Sequence, residues 1–126
     1  MKFSKLLIGI LFSASSISSF AQYPDKAITA IVPFPPGGST DSVARAIAPK
    51  MASTLGQNVI VDNKPGATGA IGASYVARAK PDGYTFLVAS IGVFATNPFL
   101  QKNLPYDPAK DFDLLDHHGE KRQLKD

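Results

Sequence analysis

Ile31-Val32-Pro33-Phe34-Pro35-Pro36-Gly37-Gly38-Ser39-Thr40-Asp41 is the stretch that decides the fold. An apolar run enters a rigid proline-rich turn, passes through two glycines, and meets a Ser-Thr-Asp start of the kind that begins a helix. Glycine lets a ligand approach the main chain closely, and a helix N-terminus carries unpaired N–H groups and partial positive charge. The order strand, turn, helix therefore builds an anion cradle, with a carboxylate or phosphate as its natural guest. A looser version follows at Lys64-Pro65-Gly66-Ala67-Thr68-Gly69-Ala70-Ile71-Gly72.

Working outward, Ala27 to Val32 is short, apolar and β-branched, and is expected to be a buried strand. From Thr40 the apolar positions Val43, Ala44, Ile47, Ala48, Met51 and Leu55 fall at helical steps. Ser39 or Thr40 is expected to cap this helix, and Asp41 sits where negative charge is favoured and can pair with Arg45. Pro49 is expected to kink or restart the helix, and Gly56 to end it. Asn58 to Asp62 is expected as the second strand. Gly69 to Lys80 is expected as the second helix, with Ile71, Tyr75, Val76 and Ala79 turned inward and Ala70, Ala73 and Ala77 small enough for close packing against a sheet. Pro81-Asp82-Gly83 is a turn, and Tyr84 to Ala89 a third strand ending at Ser90. Strand, helix, strand, helix, strand at this spacing implies a parallel sheet. Ligands of such sheets bind beyond the carboxyl ends of the strands, where both Gly-rich turns and Ser90 fall.

The N-terminus has the ordered parts of an export signal. Lys2 and Lys5 are followed by apolar Leu6 to Phe12, a serine-rich stretch, and Ser19-Phe20-Ala21 as a small-x-small cleavage site. The apolar part is well short of the roughly 18–20 residues that span a bilayer. Residues 1–21 are therefore expected to be a signal peptide that leaves a periplasmic chain, not inserted in the membrane after cleavage. The lack of cysteine rules out disulfides and argues against lipoprotein attachment, so core packing alone must stabilise the exported chain. Two of the thirteen basic residues lie in the leader, leaving eleven scattered against ten acidic ones, which is no nucleic-acid footprint.

Chemistry finds few candidates. The first turn lacks the Gly-Lys-Ser/Thr ending of a Walker loop, and Gly66, Gly69 and Gly72 lack the G-x-G of a dinucleotide fingerprint. Gly-x-Ser-x-Gly is absent, and no histidine lies near Ser39, Thr40 or Ser90 in sequence. His117 and His118 sit together in a charged tail, where a solvated role is the ordinary one. Asp62 and Asp82 suit strand-end and turn positions. No metal-ligand cluster, cofactor motif or enzyme activity is expected. A small hydrolase or transferase using Ser39 or Ser90 stands as a remote alternative. The candidate ligand-binding residues are Phe34, Pro35, Pro36, Gly37, Gly38, Ser39, Thr40 and Asp41 from the first turn, Gly66, Ala67, Thr68 and Gly69 from the second, and Ser90.

Tyr23-Pro24-Asp25-Lys26 entering a strand, followed by Val32-Pro33-Phe34-Pro35-Pro36-Gly37-Gly38-Ser39-Thr40-Asp41-Ser42-Val43-Ala44-Arg45, resembles the opening of the tripartite tricarboxylate transporter receptors, also called Bug-type periplasmic receptors. Asn63-Lys64-Pro65-Gly66-Ala67-Thr68-Gly69-Ala70-Ile71-Gly72, Pro81-Asp82-Gly83-Tyr84-Thr85 and Asn97-Pro98 continue the resemblance, which runs from Tyr23 to Phe112. It implies an α/β type II periplasmic-binding-protein (Venus-flytrap) fold. Such a receptor captures small organic carboxylates (tricarboxylates, dicarboxylates, amino acids or aromatic acids) and hands them to integral-membrane permease subunits. By the same resemblance, the two Gly-rich turns would hold the ligand carboxylate through backbone N–H groups and bridging water.

Receptors of that type are about three times longer and continue after the equivalent of Phe112 into a second lobe. The expected organisation is therefore a signal peptide at 1–21, an incomplete N-terminal parallel-sheet lobe at 22–112 with the second lobe missing, and a divergent polar tail at 113–126. A remnant or interaction fragment without a transport role is the alternative.

Overall fold

The computed structural model describes residues 22–115. The expected signal peptide, His117, His118 and most of the polar tail lie outside the described residues.

Three strands form one parallel sheet: β1 (Ile28–Val32), β2 (Val59–Asn63) and β3 (Thr85–Leu87), in the order β2-β1-β3. β1 runs beside β2 from Ile28↔Val59 to Val32↔Asn63, and beside β3 from Thr29↔Thr85 to Ile31↔Leu87. Successive residues of a strand point to opposite faces, and Ala30, Ile31 and Val32 are all buried, so β1 is covered on both sides. That is the signature of the centre of an α/β sheet, and it explains why the opening stretch is a continuous apolar run.

The cover is supplied by α1 (Ser39–Leu55), against β1 and β2, and α2 (Ala70–Ala77), against β1 and β3. The short helices α3 (Gly92–Ala95) and α4 (Asn97–Leu100) then lead residues 101–112 back over α2. There Ala70, Ala73, Val93 and Tyr106 form a buried cluster, with Phe34, Leu87, Phe94, Leu104 and Phe112 against it. Phe112 meets the rings of Phe94 and Tyr106 edge to face, at centroid distances of 5.3 and 5.6 Å. The first turn is thus tied through Phe34 to a cluster whose other members come from much later in the chain.

Three expectations about the helices are corrected. Neither Ser39 nor Thr40 caps α1; Gly38 occupies the N-cap without a side-chain bond, and Asp41 reaches back instead. Pro49 does not restart α1, which runs through it as one helix of 17 residues. Pro49 is exposed, on the solvent side of the helix, where the carbonyl it leaves unbonded can be hydrated. On α1 the buried apolar positions are only Ala44 and Ala48, while Val43 and Ile47 are exposed. On α2 the inward face is Ala70, Gly72, Ala73 and Ser74, and Ile71 and Tyr75 face out. Small residues win that face because α2 lies too close to the first turn to admit larger ones. Gly56 ends α1 as expected, at φ 69°, its N–H bonded to the Ala52 carbonyl.

Candidate functional site

The first turn is held from within by one carboxylate. Pro36 presets its own φ and Gly37 takes φ 86°, the left-handed position a turn of this kind requires. Asp41, only 2% exposed, accepts the Gly37 N–H at 2.8 Å and the Arg45 Nε–H at 2.9 Å on Oδ2. Its Oδ1 accepts from Asn63 Nδ2 at 2.9 Å. The same Nδ2 donates to the Phe34 carbonyl at 3.1 Å, and Arg45 Nη2 donates to Asn63 Oδ1 at 3.0 Å. The end of β2, the turn and the first turn of α1 are therefore closed into one network by Asp41, Asn63 and Arg45. Arg45 first, then Gly37 and Asn63, hold the Asp41 carboxyl down at about 2, below its ordinary 3.8.

Asp41 thereby holds the shape of the first turn. An acid at a helix N-terminus would compete with an anionic guest, but its charge is already matched by Arg45, and it takes the Gly37 N–H rather than those of the helix. The N–H groups of the first helical turn (Ser39, Thr40 and Asp41), with that of the N-cap Gly38, have no intrahelical acceptor by geometry. Gly37, Gly38 and Ser39 are exposed, as are Pro35 and Pro36, while Phe34 and Thr40 are half-buried.

The second turn is built from four successive residues at positive φ: Gly66 at 131°, Ala67 at 48°, Thr68 at 52° and Gly69 at 90°. Ala67 and Thr68 are the only non-glycine residues in that region among the described residues. Each carries a cost of roughly 1–2 kcal/mol, so something must hold them there. Gly69 donates its N–H to the Gly66 carbonyl at 3.0 Å, and Ala70 donates to the Ala67 carbonyl. That leaves the N–H groups of Gly66, Ala67 and Thr68 without an acceptor among the described residues. Successive amides of this kind form a concavity that favours anions. Gly69 itself is buried and serves close packing: a side chain there would begin 2.9 Å from Val93 Cγ2 and 3.4 Å from Phe34 Cζ.

The two turns therefore abut. Gly69 faces Phe34 and Pro33 of the first turn, and Gly72 faces the Pro33 backbone. Ser90 stands exposed beyond β3, at the same sheet edge, with its carbonyl accepting the Val93 N–H at 3.1 Å. A groove of about 1030 Å³ lies not between the turns but along α2, lined among others by Lys64, Ala67, Tyr75, Arg78 and Gln101. It is the space beside the exposed Ile71 and Tyr75, and it borders the second turn through Ala67.

Asn63 and Asn97 stand in the stretches that carry the resemblance but not among the candidate ligand-binding residues. Asn63 is the last residue of β2, and Asn97 is buried at the start of α4 with Thr68 as its partner. The resemblance places both residues in its motifs but does not show their partners, which lie 22 and 29 residues away in sequence.

Residues 43–117 match the model of the tripartite tricarboxylate transporter family receptor, five residues past Phe112. A UPF0065 protein from the TAR-I ttuE-ttuC' intergenic region of Agrobacterium vitis is 46% identical over 109 residues, covering 83% of this chain and 31% of that protein. Among solved structures, the periplasmic binding protein BugD is 48% identical with a TM-score of 0.71, over 74% of this chain and 31% of its own. MatC from Rhodopseudomonas palustris, with bound malate, is 43% identical with a TM-score of 0.71, over 74% of this chain and 32% of its own. The chain thus spans about a third of the length of the relatives it matches.

Proposed function

The chain belongs to the tripartite tricarboxylate transporter receptor family, and from that premise we propose that residues 22–115 carry one side of a periplasmic clamp for small organic carboxylates. The observation that carries the reading is the meeting of two amide-rich turns at one sheet edge, one at the N-terminus of α1 and the other leading into α2. One carboxylate spans them: its oxygens accept from the first-turn N–H groups of Ser39 and Thr40 and from those of Ala67 and Thr68, directly or through water. The exposed Ser39 hydroxyl and the half-buried Thr40 hydroxyl add side-chain donors at the rim. The malate bound to MatC is of this chemical class.

Amide donors bind a carboxylate without reacting with it, so the role is capture, and the acid is delivered unchanged to membrane permease subunits. Asp41, locked by Arg45, Asn63 and Gly37, shapes the cradle rather than touching the acid. The exposed hydroxyl of Ser90 lies on the same rim and is a further candidate contact.

Binding to the folded state raises stability by RT ln(1 + [L]/Kd), about 1.4 kcal/mol when ligand is at ten times Kd. Malate, citrate or glutamate titrated to tens of millimolar is therefore expected to raise the melting temperature by several degrees, where sodium chloride at matched ionic strength does not. Equal shifts with chloride, or none with any carboxylate, would refute the reading.

A further inference from the structure

We propose that Asn97 is the positioning residue of the second turn: it holds Ala67 and Thr68 in the left-handed region and so keeps their N–H groups aimed at the ligand. This rests on the carboxylate reading above and adds a residue that the two turns do not contain.

Asn97 is 3% exposed, and its amide is fully used. Nδ2 donates to the Thr68 carbonyl at 3.0 Å and to the Tyr106 hydroxyl at 3.3 Å. Oδ1 lies 3.0 Å from Thr68 Oγ1. A carbonyl can only accept, so the Thr68 contact fixes which side of the amide bears the hydrogens. Tyr106 in turn donates to the Val93 carbonyl, which ties the clamp to the buried cluster. From the other side, Gln101 Nε2 donates to the Ala67 carbonyl at 3.2 Å and to Thr68 Oγ1 at 2.8 Å. The Thr68 hydroxyl thus accepts from Gln101, and its single hydrogen has the Asn97 oxygen and the Ala67 carbonyl (2.7 Å) as acceptors.

The bonds to the Thr68 carbonyl, the Thr68 hydroxyl and the Ala67 carbonyl all end on the two residues whose backbone is unfavourable for a side chain, while those through Tyr106 anchor Asn97 to the core. Without them, Ala67 and Thr68 relax toward negative φ, and their N–H groups turn away from the position facing the first turn. Tertiary contacts over-determine the strained segment, and they arrive from α4 and the loop after it.

The test reads the turn and the ligand separately in the full chain. Backbone NMR shifts and couplings report the φ of Ala67 and Thr68 without ligand, and malate titration reports affinity. In Asn97→Asp the donor to the Thr68 carbonyl is lost while the acceptor remains. The expected result is loss of the positive-φ signature at Thr68 and about ten-fold weaker malate binding. Adding Ala67→Gly and Thr68→Gly to Asn97→Asp is expected to restore most of the affinity, because glycine accepts positive φ unaided. A signature unchanged in Asn97→Asp, or an affinity loss that the glycines do not restore, would overturn the proposal. Should Asn97→Asp fail to fold, Gln101→Leu decides in its place. It is expected to shift the same Thr68 signature, and an unshifted signature there overturns the clamp. If the unsubstituted chain shows no malate binding, the carboxylate reading fails, while the φ signature still decides the role of Asn97.

Discussion

Replacing Gly72 by alanine is expected to destabilise the chain by about 1–3 kcal/mol, at the upper end of what a single added methyl does. The new Cβ would lie 2.7 Å from Pro33 Cβ, 2.8 Å from Pro33 Cα and 2.9 Å from the Lys64 carbonyl oxygen. Two of these neighbours are backbone atoms, fixed at the carboxyl ends of β1 and β2, so no side-chain rotation relieves the contact. α2 must move outward, carrying Gly69 and the second turn away from Phe34. Thermal or urea denaturation measures the loss. Gly92→Ala is the control, since its nearest neighbours are 3.8 Å away and an added methyl there is expected to be neutral or slightly stabilising. Equal effects from the two substitutions would show that α2 does not press on the first turn.

Replacing Asp41 by alanine is expected to lower the melting temperature at neutral pH by more than about 5 °C, because the Gly37 N–H loses its acceptor and the Arg45 guanidinium and the Asn63 amide each lose one of theirs. The pH dependence carries the sign. Arg45 above all, with Gly37 and Asn63, lowers the folded-state carboxyl from 3.8 to about 2. Between those values the unfolded chain binds more protons than the folded one, so stability rises with pH across that window. The contribution of Asp41 is complete above 3.8 and is lost as the pH falls through about 2. The gap between Asp41→Asn and the unsubstituted chain is therefore expected to be wide at pH 6 and to narrow toward pH 2. A gap that stays constant with pH would mean that the network is held by shape rather than by charge.

What the sequence revealed, and what it hid, divides along one physical line. Features set by local chain chemistry were legible: the apolar run of β1, the glycines of both turns, the Asp41–Arg45 pair and the left-handed stop at Gly56. The parallel sheet followed from their order. The features missed depend on distances between elements. The small Ala70 and Ala73 are legible as close-packing positions and are buried, but the large Ile71 and Tyr75 are expected inward as well, whereas proximity to Pro33 selects the face bearing Gly72. The hydroxyls of Ser39 and Thr40 are the usual caps, yet Asp41 reaches past the N-cap to Gly37, because Asn63 and Arg45 hold its carboxylate there. Asn63 and Asn97 look ordinary in sequence, since an amide acquires its role only from the residues folded against it.

Glycines in the second turn also changed meaning. Gly69 stands out in sequence as a donor to the ligand, but its N–H closes the turn on Gly66, and its missing side chain makes room for Val93 and Phe34. The N–H groups left without an acceptor among the described residues are those of Gly66, Ala67 and Thr68, two of which bear side chains in a backbone region that disfavours them. Strain of that kind is kept where a site requires it.

The most direct test is a ¹H–¹⁵N NMR titration of the chain with malate at constant ionic strength, following individual amides. The account predicts that the amides of Ser39, Thr40, Ala67 and Thr68 move together along one saturating curve, while those lining the groove beside α2, such as Arg78 and Asn103, stay still. Saturable shifts confined to that groove, or only one of the two turns responding, would contradict a single carboxylate held between them.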